Sequence, residues 1–187
     1  MALDPASVAD WNRRHAASAG TAASPCAALT GFAEALPQAG TALDVACGGG
    51  GNALWLARRG LQVVAVDQSE VAIDRVRRAA GDLPITGCVA VLADAACLAT
   101  PFDLIVVSRF LDRGLCGAIT AALAPGGTLV YQTFVGPHRG HGPRRPAFRL
   151  REGELPSLFP TLHCVHYDEG DTEPGQAVLI ARAPGRG

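Results

Sequence analysis

Four consecutive glycines, Gly48 to Gly51, separate the apolar run Ala42-Leu43-Asp44-Val45-Ala46 from the amphipathic run Asn52-Ala53-Leu54-Trp55-Leu56-Ala57. A strand that feeds a helix through such a loop brings bare backbone up to whatever lies above it. The helix N-terminus adds N–H groups with no partner inside the helix. The junction therefore predicts a nucleotide-like ligand at the carboxyl end of the first strand.

The pattern that follows fits this junction. Strands are expected at Gln62 to Val66, Val89 to Leu92, Leu104 to Val107 and Thr128 to Phe134. Helices are expected between them, over Asn52 to Arg59, Ser69 to Ala80 and Asp112 to Leu123, with Gly60, Gly81 and Pro125-Gly126-Gly127 as stops. Two last strands, His163 to Tyr167 and Ala177 to Ala183, have only Asp168 to Gly175 between them. That span is too short for a crossover helix, so they pair antiparallel. The expectation is a single α/β, Rossmann-like, doubly wound sheet, mostly parallel, with an antiparallel C-terminal hairpin. Residues 1–40 lack strand-like runs and read as a helical extension, with a short helix around Ala27, Leu29, Phe32 and Leu36. The core then spans 41–187.

Several chemistries are excluded by what the chain lacks. All 16 basic side chains are Arg, so no Lys exists to form a Schiff base or to end a Walker loop. The six cysteines form no C-x-x-C pair. His138-x-x-His141 and His163-Cys164-x-His166 lack a further ligand pair, so no metal is expected. With a net charge of -1, no basic-then-apolar leader and no apolar run of about 18 residues, the chain reads as cytoplasmic and not membrane-spanning.

Asp67 closes the second strand and places a carboxylate beside the glycine loop, where a ribose diol can bind. Nicotinamide-dinucleotide proteins share this arrangement, and Gly48-x-Gly50-x-x-Ala53 fits their loop too. Asp44 weighs the other way, because a carboxylate repels a pyrophosphate and attracts a cationic ligand.

The ordered set Asp44-x-x-x-Gly48-x-Gly50, Asp67, Val91-Leu92-Ala93-Asp94-Ala95, Pro101 to Ser108 and Leu123 to Val130 resembles the class I S-adenosylmethionine-dependent methyltransferases. The similarity spans Pro25 to Ala183. Within that family the small bacterial enzymes of the tellurite-resistance type are the most similar. The resemblance implies a seven-stranded sheet and S-adenosylmethionine as cofactor. It implies cofactor contacts from Asp44, Ala46, Cys47, Gly48, Gly50 and Asn52 at the loop, Asp67 and Gln68 at the ribose, Asp94 and Ala95 at adenine, and Ser108. Ala46 departs from the family, which has Gly there. Trp11-Asn12-Arg13-Arg14-His15 is similar to a segment that closes over the cofactor in some small members. Asp112 stands where relatives often have His, so no His-dependent role is carried over.

Methyl transfer from a sulfonium needs a positioned nucleophile and little else, so no catalytic residue is assigned. The acceptor is expected at the ends of the fourth and fifth strands, with Arg109, Phe110, Tyr131, His138 and Arg139 as candidate contacts. Each has a plainer role open to it: Ser108 and Asp94 as helix caps, Arg109 as a solvated cation. The basic segment from Val135 to Arg151 is a solvated loop, a lid or an anion site. Its arginines have no interleaved aromatics, which disfavours nucleic acid. The expected partner is a small-molecule acceptor, and the expected assembly is a monomer or homodimer. A cofactor-binding module without catalysis and an NAD-dependent oxidoreductase are the competing readings.

Overall fold

A computed structural model describes residues 5–17, 24–90 and 101–185. Seven strands form one sheet: β1 (Thr41–Val45), β2 (Gln62–Asp67), β3 (Ile85–Val89), β4 (Phe102–Ser108), β5 (Leu123–Phe134), β6 (His163–Glu169) and β7 (Gln176–Arg182). Their order is β3-β2-β1-β4-β5-β7-β6. The first five run parallel, and β7 is antiparallel to both β5 and β6. This is the seven-stranded sheet of the class I methyltransferase fold.

Among the described residues six α-helices accompany it: α1 (Pro5–Ala17), α2 (Ala27–Gly31), α3 (Gly51–Arg58), α4 (Glu70–Ala80), α5 (Cys116–Ala121) and α6 (Glu154–Ser157). The strands alternate between two buried faces, as the period of two requires. In β4, Ile105 and Val107 join Leu43, Leu129 and Tyr131 on the face that also holds Ile119, Leu155 and Phe159. Leu104 and Val106 join Ala42, Val130 and Ile180 on the other, against Leu29, Leu56, Ile73 and Val76. Helix α4 shows why its sequence is helical. Ala72, Ile73, Val76 and Ala80 are buried at helical spacing, and the hydroxyl of Ser69 accepts the Ala72 N–H at 3.2 Å as its cap.

Three boundaries differ from the sequence expectation. The third strand lies at Ile85–Val89, ahead of the expected Val89 to Leu92, whose later residues are outside the described ones. Gly87 and Cys88 mask its strand character, because it is an edge strand with little buried surface. The expected helix from Asp112 splits into a 3-10 turn at Arg113–Leu115, capped by Asp112, followed by α5. Pro125-Gly126-Gly127 is an irregular stretch within β5 and not a turn before it. The register slips between Phe102 and Leu104, and a Cβ on Gly127 would stand 2.8 Å from the carbonyls of Ala124 and Phe102. The expected N-terminal helix is present as α2 and a 3-10 turn at Ala33–Ala35. No described helix is long and apolar enough to cross a membrane.

Candidate cofactor loop and acceptor edge

Ala46, the first residue past β1, has φ +55°, a left-handed conformation that a Cβ makes costly. The chain turns sharply there, and the Cys47 N–H still reaches the Val66 carbonyl at 3.0 Å. Gly48 and Gly50 also take positive φ. A Cβ on Gly50 would stand 2.7 Å from Val76 of α4, so glycine is what lets the loop and helix meet.

Asp44 is fully buried behind this loop. One carboxylate oxygen accepts the Asn52 side-chain amide at 3.2 Å, and the other accepts the Ala53 N–H at 3.0 Å. Burial pushes its pKa up to about 7. The Asn52 and Ala53 donors oppose that shift, and the charge of Asp67 adds to it. Asn52 ties three elements together: its amide also donates to the Ser108 hydroxyl at 3.0 Å, and its carbonyl accepts the Cys26 N–H at 2.9 Å. Strand β1, strand β4 and the start of α2 thus meet at one side chain. Asp67 accepts the N–H groups of Gly48 and Ser69, both at 2.9 Å.

Helix α1 lies over the loop. The Ser69 hydroxyl donates to the Asn12 side chain, and Arg75 donates to the His15 carbonyl at 3.2 Å. The His15 ring comes within 3.4 Å of where a Gly48 Cβ would be. Burial lowers the His15 pKa, while Asp67 pulls it up and Arg75 pushes it down. Of the segment Trp11 to His15, singled out in the sequence, His15 therefore lies against the glycine loop and Asn12 against the start of α4.

At the acceptor edge the candidates separate. Ser108 is joined to the loop through Asn52. Arg109 follows it with φ +55°, its N–H held by the Gln132 carbonyl at 2.8 Å, its side chain exposed and without an ion pair among the described residues. Phe110 is half-buried. Tyr131 is fully buried, and its hydroxyl donates to the Phe110 carbonyl at 3.2 Å. Strand alternation turned it to the inner face. His138 and Arg139 are exposed on the loop after β5. Cys47 is buried and Gln68 half-buried at the loop, while Asp94 and Ala95 lie outside the described residues.

Two organising residues escaped the sequence reading. The buried Gln132 accepts the Ala28 N–H at 2.9 Å and donates to Gln176 at 3.1 Å, tying α2 to β5 and β7. A lone amide in the apolar run Leu129-Val130-Tyr131-Gln132 was its signal. Arg149 is buried and bonded only to carbonyls, for which the sequence offered no signal. No described group of His, Cys, Asp or Glu could hold a metal ion.

The donor set bears on what the loop can hold. Residues 44–53 contribute one carboxylate and no basic side chain, and Asp67 adds a second carboxylate. Such a loop suits a ligand with a cationic end and a diol better than a pyrophosphate.

Comparisons with known proteins agree with the fold. Residues 42–127 match the family model described as a methyltransferase domain. TehB from Haemophilus influenzae superposes with a TM-score of 0.72 at 18% identity, covering 92% of this chain and 67% of that one. A TehB-like S-adenosylmethionine-dependent methyltransferase from Corynebacterium glutamicum gives 0.67 at 20% identity, covering 97% and 100%. The [4+2]-cyclase SpnF gives 0.64 at 18% identity, covering 78% and 75%. No curated protein sequence matches.

Proposed function

From the premise that residues 42–127 carry a methyltransferase domain, we propose that the chain binds S-adenosylmethionine across the ends of β1 and β2 and methylates a small-molecule nucleophile. The observation that carries this reading is the pairing of Asp44 and Asp67 around a loop that offers no cation. When bound, S-adenosylmethionine supplies a methyl group on a sulfonium, a good leaving group. The protein's task is then to orient the acceptor in line with the breaking bond and to exclude water.

Within this proposal Asp67, with Gln68 beside it, holds the ribose diol. Gly48 and Gly50 allow close approach of the amino acid end. Asp44 acts through space from behind the loop and fixes the N-terminus of α3. Asp94 and Ala95 belong to the adenine side by resemblance alone. Ser108, Arg109 and Phe110 border the acceptor, which loses its proton to solvent. We place the activity in the cytoplasm and in a monomer or homodimer. Calorimetric titration with S-adenosylmethionine tests the reading, and absence of binding would sink it.

A cofactor-binding module without methyl transfer is the second reading. It is favoured by the engagement of both carboxylates: Asp44 and Asp67 each already accept two hydrogen bonds from the protein, which leaves neither poised as a base. Methyl transfer from labelled cofactor to any of a panel of thiols, amines or oxyanions would exclude it.

A further inference from the structure

The segment from Val135 to Arg151 holds five of the 16 arginines, two histidines and no Asp or Glu, in a chain of net charge -1. Residues 137–142 and 144–148 are exposed, but the loop is anchored at its base. Arg149 is 5% exposed. Its Nε donates to the Gly136 carbonyl at 2.7 Å, one terminal nitrogen to Val135 at 2.9 Å, and the other to His141 at 3.4 Å and Pro143 at 3.5 Å. Arg113 fixes the far end, donating to the carbonyls of Ala147 and Arg149 and to both oxygens of Glu154.

The loop borders an open cavity of about 270 Å³ whose lining includes His138, Arg144, Arg149 and Arg151, with Gly136 and Leu150. Arg149 has its hydrogen bonds satisfied by carbonyls, yet no carboxylate pairs with it among the described residues. Its buried charge therefore lacks a counter-ion. Arg144 is exposed and forms no ion pair among the described residues. Arg151 lies 3.7 Å from Glu154 and is otherwise open. Two carboxylates compete at the rim: Glu154, already beside Arg151, and Glu152, 4.0 Å from where a Gly136 Cβ would stand.

Topology sets this cavity at the working edge of the sheet. Ser108 pairs with Gln132 in the parallel β4–β5 ladder, and β5 ends two residues later at Phe134, where the loop begins. We propose that the cavity receives the carboxylate or phosphate group of the methyl acceptor, with Arg144 and Arg151 as its ligands and Arg149 as the fixed charge beneath. The acceptor is thus an anionic small molecule. This assignment rests on the methyltransferase reading, but the anion site itself does not.

The test titrates the full chain with benzoate, phenyl phosphate and a ten-nucleotide thymidine strand, alongside S-adenosylmethionine. Benzoate or phenyl phosphate should bind at one site, and the stronger of the two identifies the acceptor's anionic group. Arg144→Gln or Arg151→Gln should weaken that binding about tenfold, the scale of one charge-assisted hydrogen bond. Arg145→Gln removes the same charge from a residue that does not line the cavity, and should leave binding unchanged. Glu152→Gln should tighten it, and S-adenosylmethionine binding should be unaltered in all four variants. Equal losses in Arg144→Gln and Arg145→Gln, no binding of either anion, or preference for the oligonucleotide would overturn the site. Anion binding by a chain that takes no S-adenosylmethionine would overturn the acceptor role alone.

Discussion

The Gly48 N–H donates to the Asp67 carboxylate at 2.9 Å, joining the turn after β1 to the end of β2 across 19 positions of sequence. The same carboxylate holds the Ser69 N–H and so the start of α4. One side chain thus shapes the loop and offers its charge to a ligand. Asp67→Ala should weaken S-adenosylmethionine binding by about 1–3 kcal/mol and lower stability by a similar amount. Asp67→Asn should recover part of the stability but little of the affinity. Calorimetry and thermal melts on both variants separate the two roles.

Asp44 makes stability and binding depend on pH in opposite senses. Its folded pKa, near 7, lies above the ordinary value of 3.8. The folded state therefore holds the proton more tightly, and the stability it gains is full below about pH 4 and is lost as pH rises through 7. Ionised Asp44 attracts a cationic ligand, so cofactor affinity should rise over the same range. Asp44→Asn should flatten both profiles, measured by melting and by calorimetry from pH 5 to 8.

Glu154 sets the acid limb. Hydrogen bonding from Arg113 holds its carboxyl down to about 2, against burial and with help from Arg151. Its contribution is present above the ordinary 4.5 and is lost as pH falls through 2. Glu154→Gln should shift the acid-unfolding midpoint upward, seen by circular dichroism.

Ala46 carries strain that its family counterpart, Gly, avoids. Relief of the left-handed conformation in Ala46→Gly is worth about 1–2 kcal/mol, and the added freedom of the unfolded chain offsets about half of it. A small rise in melting temperature is expected, with cofactor affinity undiminished. Ala46→Val should destabilise the fold.

These cases also show what was legible in the sequence. Glycines and carboxylates at strand ends announce themselves because backbone geometry is local, so Asp44, Gly48, Gly50 and Asp67 could be named without coordinates. The mostly parallel sheet and its antiparallel closing hairpin followed from alternation and connection length. The full burial of Tyr131 was not legible, because a strand's sequence does not say which face is lined by core and which by cleft. Arg149 was read as part of a charge run, since its partners are carbonyls that carry no residue-type signal. The packing of α1 on the loop had its only hint in a family resemblance.

Arg149→Ala should loosen the loop it clamps. Four carbonyls lose a donor at a buried site, which costs about 2–4 kcal/mol, and Arg149→Lys cannot reproduce the fork. Hydrogen exchange across residues 136–148 should accelerate in both variants while β1 and β4 stay protected.

The central claim, that the loop from Asp44 to Asn52 holds S-adenosylmethionine, is tested most directly by titrating the chain with S-adenosylhomocysteine, its demethylated product, in the calorimeter. One molecule should bind per chain, with affinity lost in Asp67→Ala and unaffected by excess nicotinamide dinucleotide. No heat of binding, or displacement by the dinucleotide, would contradict it.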